Sequence, residues 1–407
     1  MHTADKNDCH VVELGNLGLD QGGHLLVKRA LRAVAVGAPI KVFGNSPELL
    51  AHLRSWCRTQ GHTIEFHSSE NAAHDDASIA TIYRGNAEID RWHKAEFTGA
   101  AEAPATKAAA HWGLAGRSAT VEAGAPSFEF PLDTRTEVWA QEAARLYMQA
   151  SSAQWNPMTA IPWEASFDLP EEIEDAVVQL MTYLIENETA ALIIPAKFVA
   201  QIHPHFREIM QLLAIQAADE ARHIEVFTRR ALLRRNKLGL STTGGQKSLK
   251  TLIDETDFTM AGLLLSVLGE GSFLSLLSFL HQHAPDPITR EIARLVGQDE
   301  ARHVAFGVAH LTWYVSENPS HLERIAVAIE RRHEMLENTA GLNEEVFDAL
   351  ILLAAGSWQS EALGQGWNKV QQLITNMHLG RIKRLRKIGF SETRAQDLST
   401  LHTRNFM

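Results

Sequence analysis

One five-residue segment occurs twice in the chain, and its residue types are those that bind metal ions. The copies are Asp219-Glu220-Ala221-Arg222-His223 and Asp299-Glu300-Ala301-Arg302-His303. Each copy lies within a run of apolar residues spaced by three or four, a pattern that predicts a helix. In each copy a glutamate and a histidine stand three residues apart, so both project from one helix face. Two carboxylates and two imidazoles are therefore available to the interior of a helical bundle.

A further glutamate precedes each copy, on a helix of its own. Glu188 and Glu270 each interrupt an apolar stripe, and they lie 32 and 30 residues before Glu220 and Glu300 (220 minus 188, 300 minus 270). Glu186 is out of phase with its stripe, which predicts that it is solvated. A buried carboxylate without a partner is costly, and a metal ion is one way to compensate it.

Together these side chains form a complete set of metal ligands. Four helices that supply Glu, Glu-x-x-His, Glu and Glu-x-x-His match the inward-facing ligands of a ferritin-like di-iron carboxylate bundle. Carboxylate and imidazole ligands suit iron or manganese, so we expect two iron ions, with a manganese–iron pair as the alternative. A polar core without metal is the other interpretation. The predicted ligands are Glu188, Glu220, His223, Glu270, Glu300 and His303.

Residues 165 to 312 resemble the ferritin-like di-iron superfamily. The fuller Asp-Glu-x-Arg-His form is similar to that of the bacterial multicomponent monooxygenases and, more loosely, of the acyl-carrier desaturases. The resemblance implies that the aspartate before each ligand orients the histidine of its own copy. Asp219 would then hold His223, and Asp299 would hold His303. A carboxylate on the non-ligating ring nitrogen fixes the tautomer of a histidine and raises its basicity.

The same resemblance implies a role for the arginines. Arg222 would pair with Asp299, and Arg302 would pair with Asp219, because buried aspartates require cations. Ribonucleotide-reductase small subunits place a radical tyrosine four residues after the first histidine, where this chain has Phe227. Radical storage at that position is therefore not expected.

These residues predict an O2-dependent non-haem di-iron oxygenase. O2 and a small organic molecule would be its substrates, and an external reductase or ferredoxin would supply electrons. The ligands do not separate hydroxylation from N-oxygenation or desaturation. Two other functions fit the same residues: a ferroxidase or iron-binding ferritin-like protein that oxidises no organic substrate, and an interaction scaffold stabilised by metal.

The elements that position the site form a mainly α protein, a ferritin-like helical bundle with a small N-terminal α/β module. Residues 1–88 are predicted to be the α/β domain, 89–135 a linker rich in Ala, Gly, Thr and Pro, and 136–407 the helical domain with a C-terminal extension. The domain's predicted strands are 11–14, 40–43, 63–66 and 78–83, and its predicted helices are 25–34 and 46–59, the second capped by Ser46.

The N-terminal module resembles the small sulfur-carrier (TusA-like) family over most of residues 10 to 86. Leu17-Gly18-Leu19 before a helix carries this resemblance, together with Ser46-Pro47 and Gly61-His62. In that family a cysteine begins the first helix and carries a persulfide, but the matching positions here read Gln21-Gly22-Gly23-His24. Because neither Gln21 nor His24 can hold a sulfane sulfur, we expect a docking or regulatory domain. Cys57 is predicted to be a half-buried apolar residue.

In the helical domain, a helix is predicted over 138–150, and Asp286-Pro287 is predicted to cap another. The glycines that flank Glu270 leave room either for O2 or substrate or for close helix packing. The apolar run 342–358 would cover the bundle or form a homodimer surface. Two basic clusters are predicted to stabilise a helix end and to form a solvated face: Arg229, Arg230, Arg234, Arg235 and Lys237, and Arg381, Lys383, Arg384, Arg386 and Lys387.

Composition limits the remaining functions. The formal net charge is -11, which argues against a nucleic-acid partner. Two cysteines cannot build a four-thiolate site, so metal chemistry must use carboxylates and imidazoles. The N-terminus is not of the secretory kind, and no uninterrupted apolar run reaches about 18 residues. We therefore expect a cytoplasmic protein that does not associate with membranes.

Overall fold

The computed structural model describes residues 10–67, 79–87, 94–339 and 343–401. The chain divides into two compact units. The first comprises Met1–Thr98 with Ser118–Pro126, and the second comprises Gly99–Arg117 with Ser127–Met407. The predicted architecture is confirmed: a small mixed-sheet module at the N-terminus and a mainly helical, ferritin-like bundle. Cys9 and part of the predicted strand 78–83 lie outside the described residues.

A four-stranded sheet and two helices form the first unit. The strands are β1 (His10–Glu13), β2 (Pro39–Phe43), β3 (Thr63–Phe66) and β4 (Ala80–Tyr83), in the order β1-β2-β4-β3. β1 and β2 are parallel, with Val12 opposite Val42, and the other pairs are antiparallel. The helices are α1 (Gly23–Ala33) and α2 (Leu49–Gln60). A two-stranded ribbon, β5 (Glu96–Phe97) with β6 (Thr120–Val121), completes the unit.

The structure corrects two predictions for this unit. Ser46 does not cap α2 with its side chain: the helix begins at Leu49, whose amide donates to the Ser46 carbonyl at 3.0 Å. Cys57 is fully buried in the core rather than half-buried, and burial raises the pKa of its thiol to about 12. A thiol held protonated in an apolar core is a poor nucleophile. The resemblance to sulfur carriers stays a prediction.

The described part of the segment predicted as a linker, residues 94–135, makes tertiary contacts. Residues 94–98 and 118–126 belong to the first unit, while 99–117 and 127–135 belong to the second. Trp112 is buried against His205, with ring centroids 5.0 Å apart. The Ala108 amide donates to the Asp133 carbonyl at 2.8 Å, and the Leu132 amide donates to the Gln201 carbonyl at 3.0 Å. Composition alone did not reveal these tertiary contacts.

The second unit is helical. Its helices are α3 (Arg135–Val138), α4 (Ala143–Ser152), α5 (Glu171–Val199), α6 (Arg207–Ala231), α7 (Thr243–Ile253), α8 (Phe258–His283), α9 (Pro287–Glu317), α10 (His321–Leu336), α11 (Glu344–Ala355), α12 (Ser360–Ile388) and α13 (Glu392–Thr400). α6 packs along α5, and α9 packs along the second half of α8, so the two pairs form the bundle that the sequence predicted. α11 packs on α5, and α12 packs on α8 and α9, so both cover the bundle.

The ends of two helices show how local sequence acts. Asp286 caps α9 as predicted, because its carboxylate accepts from the Thr289 amide at 2.8 Å and Pro287 follows it. The single helix predicted over 138–150 is instead broken between α3 and α4. The Trp139 backbone at the break is extended, and its carbonyl lies 2.9 Å from Nδ1 of His310. A tertiary contact therefore uses the carbonyl that a continuous helix would have paired.

Each of the two basic clusters contains a buried arginine that the sequence did not predict, although Lys383, Arg386 and Lys387 are exposed as expected for a solvated face. Arg230 is fully buried, and its guanidinium donates to Glu174 at 2.6 and 3.0 Å and to Asp286 at 2.9 Å. This network joins α5, α6 and the start of α9. In the second cluster Arg381 is buried on the inner face of α12, where Nη1 donates to the Ser399 carbonyl at 3.0 Å. Arginine buries a long stem, so its place in a charge run does not reveal its exposure.

Two helices, α5 and α8, are long and apolar enough to cross a membrane by composition alone. Most of each apolar window is buried within the protein, 67% for α5 and 83% for α8. Both helices also carry a buried glutamate of the predicted ligand set. Their apolarity is explained by their position in the bundle, since core helices pass the same test.

Candidate metal centre

All six predicted ligands meet in the centre of the bundle. Each is at most 3% exposed. α5 supplies Glu188, whereas Glu186, on the neighbouring face, is only partly buried. The Glu-x-x-His pairs come from α6 and α9, and Glu270 comes from α8. The structure therefore brings together four carboxylates and two imidazoles that are distant in sequence, from Glu188 to His303.

The six side chains form two overlapping groups. One contains Glu188 and His223 and the other Glu270 and His303, and both contain Glu220 and Glu300. In each group the candidate ligand atoms lie within 4.8 Å of one another.

The shared glutamates face both groups at once. Nδ1 of His223 lies 3.1 Å from Oε2 of Glu220 and 3.3 Å from Oε1 of Glu300. Nδ1 of His303 lies 3.1 Å from Oε1 of Glu220 and 3.4 Å from Oε2 of Glu300. The two oxygens of each shared carboxylate thus point to different histidines, an arrangement that suits bridging of two ions.

The unpaired atoms of the site fit a pair of bound cations. Several of its buried atoms have no hydrogen-bond partner in the part of the chain that the structure describes, namely Oε1 of Glu188, Oε1 of Glu220, Oε2 of Glu270, both oxygens of Glu300 and Nδ1 of His303. Buried polar atoms in folded proteins are almost always paired. Carboxylate oxygens and imidazole nitrogens are the donors that iron and manganese accept. A metal ion in each group would compensate these atoms.

Two of the buried glutamates, Glu188 and Glu270, have raised pKa values. Burial raises the pKa of Glu188 well above its usual value, and the charges of Glu220 and Glu300 raise it further. Burial and the charge of Glu300 do the same to the pKa of Glu270. Both carboxyl groups therefore hold a proton more tightly than an exposed glutamate does.

The two histidines also hold their protons more tightly, because their pKa values are raised. Burial lowers the pKa of His223, but its hydrogen bonds to Asp299 and the ligand glutamates together raise that pKa well above its usual value. For His303, burial again lowers the pKa, and the charges of Glu220 and Glu300 outweigh it. A metal ion must displace these protons in order to bind.

The aspartates hold the histidines across the two copies, not within them. Nε2 of His223 lies 3.2 Å from Oδ2 of Asp299, and Nε2 of His303 lies 3.3 Å from Oδ2 of Asp219. The predicted pairing within each copy is therefore wrong. Nδ1 of each ring faces the glutamates, so Nε2 points away from its own helix toward the facing one. The crossed pairing still leaves Nδ1 free for a metal ion.

Both arginines contact the aspartates that the sequence predicted, but not equally. Nη2 of Arg222 donates to Asp299 at 2.8 Å, as predicted, and also to Asp219 at 2.6 Å. Nη2 of Arg302 forms the predicted ion pair with Asp219 only at 4.0 Å, and its closer partner is Asp299 of its own copy. Arg222 thus hydrogen-bonds to both aspartates, while Arg302 hydrogen-bonds to Asp299 alone.

A loop that the sequence did not place at the site contacts its two aspartates. Nε1 of Trp155 donates to Oδ2 of Asp299 at 2.7 Å, and its indole lies parallel to the His223 ring at 6.5 Å between centroids. Gln154 donates to Asp219 at 2.8 Å and accepts from Arg222 at 2.5 Å. An irregular loop has no periodicity from which these contacts follow.

One further residue of the site, on α6, could have been predicted from the sequence. Gln216 donates to Oε1 of Glu270 at 3.0 Å and is buried. It lies four residues before Glu220, in the same inward stripe, so its helical phase was a usable signal.

Glu270 lies at the end of a π-helical turn, which the sequence did not predict. α8 is α-helical over Phe258–Gly262, π-helical over Leu263–Glu270 and α-helical again over Gly271–His283. Such turns are often found at functional sites. A methyl group at Gly271 would lie 2.4 Å from Cζ of Arg384, so this glycine allows close packing rather than leaving room for a substrate.

Comparisons with known proteins give a distant structural likeness only. No protein-family model matches the chain, and no curated protein matches it significantly. Similar solved structures include variants of an R2-like ligand-binding oxidase. Two with anaerobically reconstituted Mn/Fe cofactor are 15% and 16% identical, and one with aerobically reconstituted Fe/Fe cofactor is 15% identical, each with a TM-score of 0.48. Each match covers 62% of this chain and 95% of the solved chain. At this distance the metal assignment rests on the geometry of the six side chains.

Proposed function

We propose that the protein is an O2-activating di-metal oxidase that oxidises a small organic substrate. The observation that carries this proposal is the pair of shared carboxylates, Glu220 and Glu300, each facing two histidines in a buried site. Two iron ions, or a manganese–iron pair, would supply the redox chemistry with O2 when bound. Mn/Fe and Fe/Fe are also the cofactors named for the R2-like oxidases above.

The protein's own residues have three tasks in this proposal. Glu188 and Glu270 each complete one group around the shared carboxylates. Asp219 and Asp299 fix the ring orientation of the two histidines, so that Nδ1 faces the glutamates that would hold the ions. The apolar residues of the four helices exclude water, which strengthens the electrostatic interactions inside the site. Hydroxylation, N-oxygenation and desaturation all remain compatible with these tasks.

Metal content and O2 consumption test the proposal. The full-length protein from iron-replete expression is expected to contain about two metal ions per chain, as the ligand set requires. After anaerobic reduction it should consume O2, and with its substrate and a reductant it should do so catalytically. A ferroxidase would consume O2 only in proportion to added ferrous iron. Absence of bound transition metal would refute the oxidase and the ferroxidase together.

We also propose a place where electrons enter from the external reductase or ferredoxin. The half-buried indole of Trp155 donates to Asp299, which in turn holds His223, so one hydrogen-bonded chain links the outside of the bundle to a ligand. Trp155→Phe keeps an aromatic ring at this position and removes the indole N–H donor. Metal content should stay unchanged, and reduction of the metal centre by a chemical donor should slow by about tenfold. Tenfold corresponds to about 1.4 kcal/mol, which is about the contribution of one hydrogen bond. Trp163→Phe, whose indole bonds the Pro157 carbonyl instead, is the matched control. If both variants were reduced at the wild-type rate, this route would be excluded.

A further inference from the structure

A cavity of about 350 Å³ lies between the second half of α8 and α12. Polar side chains line it, among them Ser275 and Gln282 from α8 and Gln372 and Asn376 from α12. Lys369, His283 and Arg384 bring cationic or ionisable groups to its wall. None of the described residues that line it is acidic. The cavity does not include any of the six ligands of the metal centre.

Arg384 is held rigidly at this cavity. Its Nε donates to the Val267 carbonyl at 2.8 Å, in the π-helical turn of α8. Its guanidinium occupies the space that a side chain at Gly271 would need. The position of the charge is therefore fixed by the backbone of α8, which is the preorganisation that a binding site requires.

Among the described residues, no carboxylate neutralises the positive charge of Arg384. Its Nη2 is buried without a hydrogen-bond partner, and no described carboxylate forms an ion pair with it. Burial and, to a smaller extent, the charge of Arg381 together lower the pKa of Arg384 to about 9. Burial lowers the pKa of His283 as well, and the charges of Lys369 and Arg290 add to this effect. A buried guanidinium is costly unless an anion pairs with it.

The other walls of the cavity indicate what kind of anion fits. Leu274, Phe279 and Leu373 provide apolar surface beside the polar groups. Arginine pairs with planar or tetrahedral oxyanions through two parallel N–H donors. We propose that this cavity binds a small oxyanion, a carboxylate or phosphate group on a short apolar body, through the guanidinium of Arg384. The hydroxyl and amide groups of the wall donate further hydrogen bonds to it.

Calorimetric titration of the full-length protein with inorganic phosphate, and separately with hexanoate, tests this site at constant ionic strength. We expect saturable binding of at least one probe, and the probe that binds identifies the group. Arg384→Met keeps the apolar stem and removes the charge, so binding should weaken at least about tenfold, the loss typical of a charge-assisted hydrogen bond. Arg386→Met is the matched control, because that arginine is exposed and pairs with Glu392.

A second variant keeps the test independent of Arg384's role in packing. Ser275→Leu fills the cavity and leaves the guanidinium in place, and it should also weaken binding at least about tenfold by exclusion. Failure of both probes to bind the wild-type protein would overturn the proposal. So would wild-type affinity in a folded Arg384→Met or Ser275→Leu variant. Because no arm measures metal content or O2 consumption, these outcomes leave the oxidase proposal untouched.

Discussion

The two halves of the bundle carry the same five residues but place them in unequal surroundings. In the first half, an α-helix, α5, supplies Glu188, and Oε1 of that residue has no hydrogen-bond partner among the described residues. In the second half, Glu270 ends a π-helical turn and accepts from Gln216. Identical local sequence therefore does not produce two equivalent metal sites, because the facing helices differ.

The outer contacts differ as well. Asp299 accepts from Trp155, Arg222 and Arg302, whereas Asp219 accepts from Gln154 and Arg222. Both Trp155 and Gln154 belong to one loop, which touches the two copies through different side chains. The pKa of Asp299 is accordingly held far below its usual value: burial raises it, and the hydrogen bonds to His223, Arg222 and Trp155 outweigh burial.

The largest expected effect comes from a residue that both halves share. Glu220→Ala removes a carboxylate that faces both histidines, so metal content should fall from about two ions per chain to nearly none while the fold is largely kept. His303→Ala is expected to abolish metal binding as well. Elemental analysis of the purified variants, with circular dichroism as the check on folding, measures this. Unchanged metal content in both variants would show that the ligand assignment is wrong.

A smaller effect should separate the halves. Glu188→Gln removes a terminal ligand of the first group only, so we expect the loss of about one ion per chain, since the second group keeps its own Glu270 and His303. Glu186→Gln, two positions away on the same helix, should retain both ions. Equal loss in the two variants would mean that the helical phase of α5 does not select Glu188.

The arginines should differ in their contribution to stability. Arg222→Met leaves two buried aspartates without their shared donor, and the free energy of unfolding should fall by about 3 kcal/mol, as is typical when a buried ion pair loses one partner. Arg302→Met should cost clearly less, because Asp299 keeps Arg222 and Trp155. Urea denaturation of the metal-free proteins measures both changes. Equal losses would contradict the unequal roles assigned here.

The last prediction is a dependence of metal affinity on pH. Glu188, Glu270 and both histidines have raised pKa values, so the metal-free site binds protons that a metal ion must displace. Affinity should therefore rise with pH, by about tenfold per pH unit for each proton released. Titration with Mn²⁺ between about pH 6 and 7.5, in weak buffer with a pH indicator, measures affinity and proton release together. Affinity that does not change with pH would show that the pocket holds no such protons.

The ligand set was predictable because it depends on helical phase. Glu188, Glu270 and the two Glu-x-x-His pairs each fall on an apolar stripe, and burial of that stripe brings them inward whatever the details of packing. The same periodicity predicted the mainly α fold, and the Asp286-Pro287 dipeptide predicted the helix cap. It did not predict the break at Trp139 or the packing of residues 99–117, which depend on contacts far away in sequence.

The chain by itself thus determined which residues face the bundle axis and that six of them can hold two metal ions. Only the tertiary structure decided which aspartate holds which histidine, that Arg222 serves both copies, and that Trp155 and Gln154 close the site. The physical reason is that the direction of a ring nitrogen or a guanidinium is set by the facing helix or loop, not by its neighbours in sequence. The exposure of Arg230, Arg381 and Arg384 was decided in the same way.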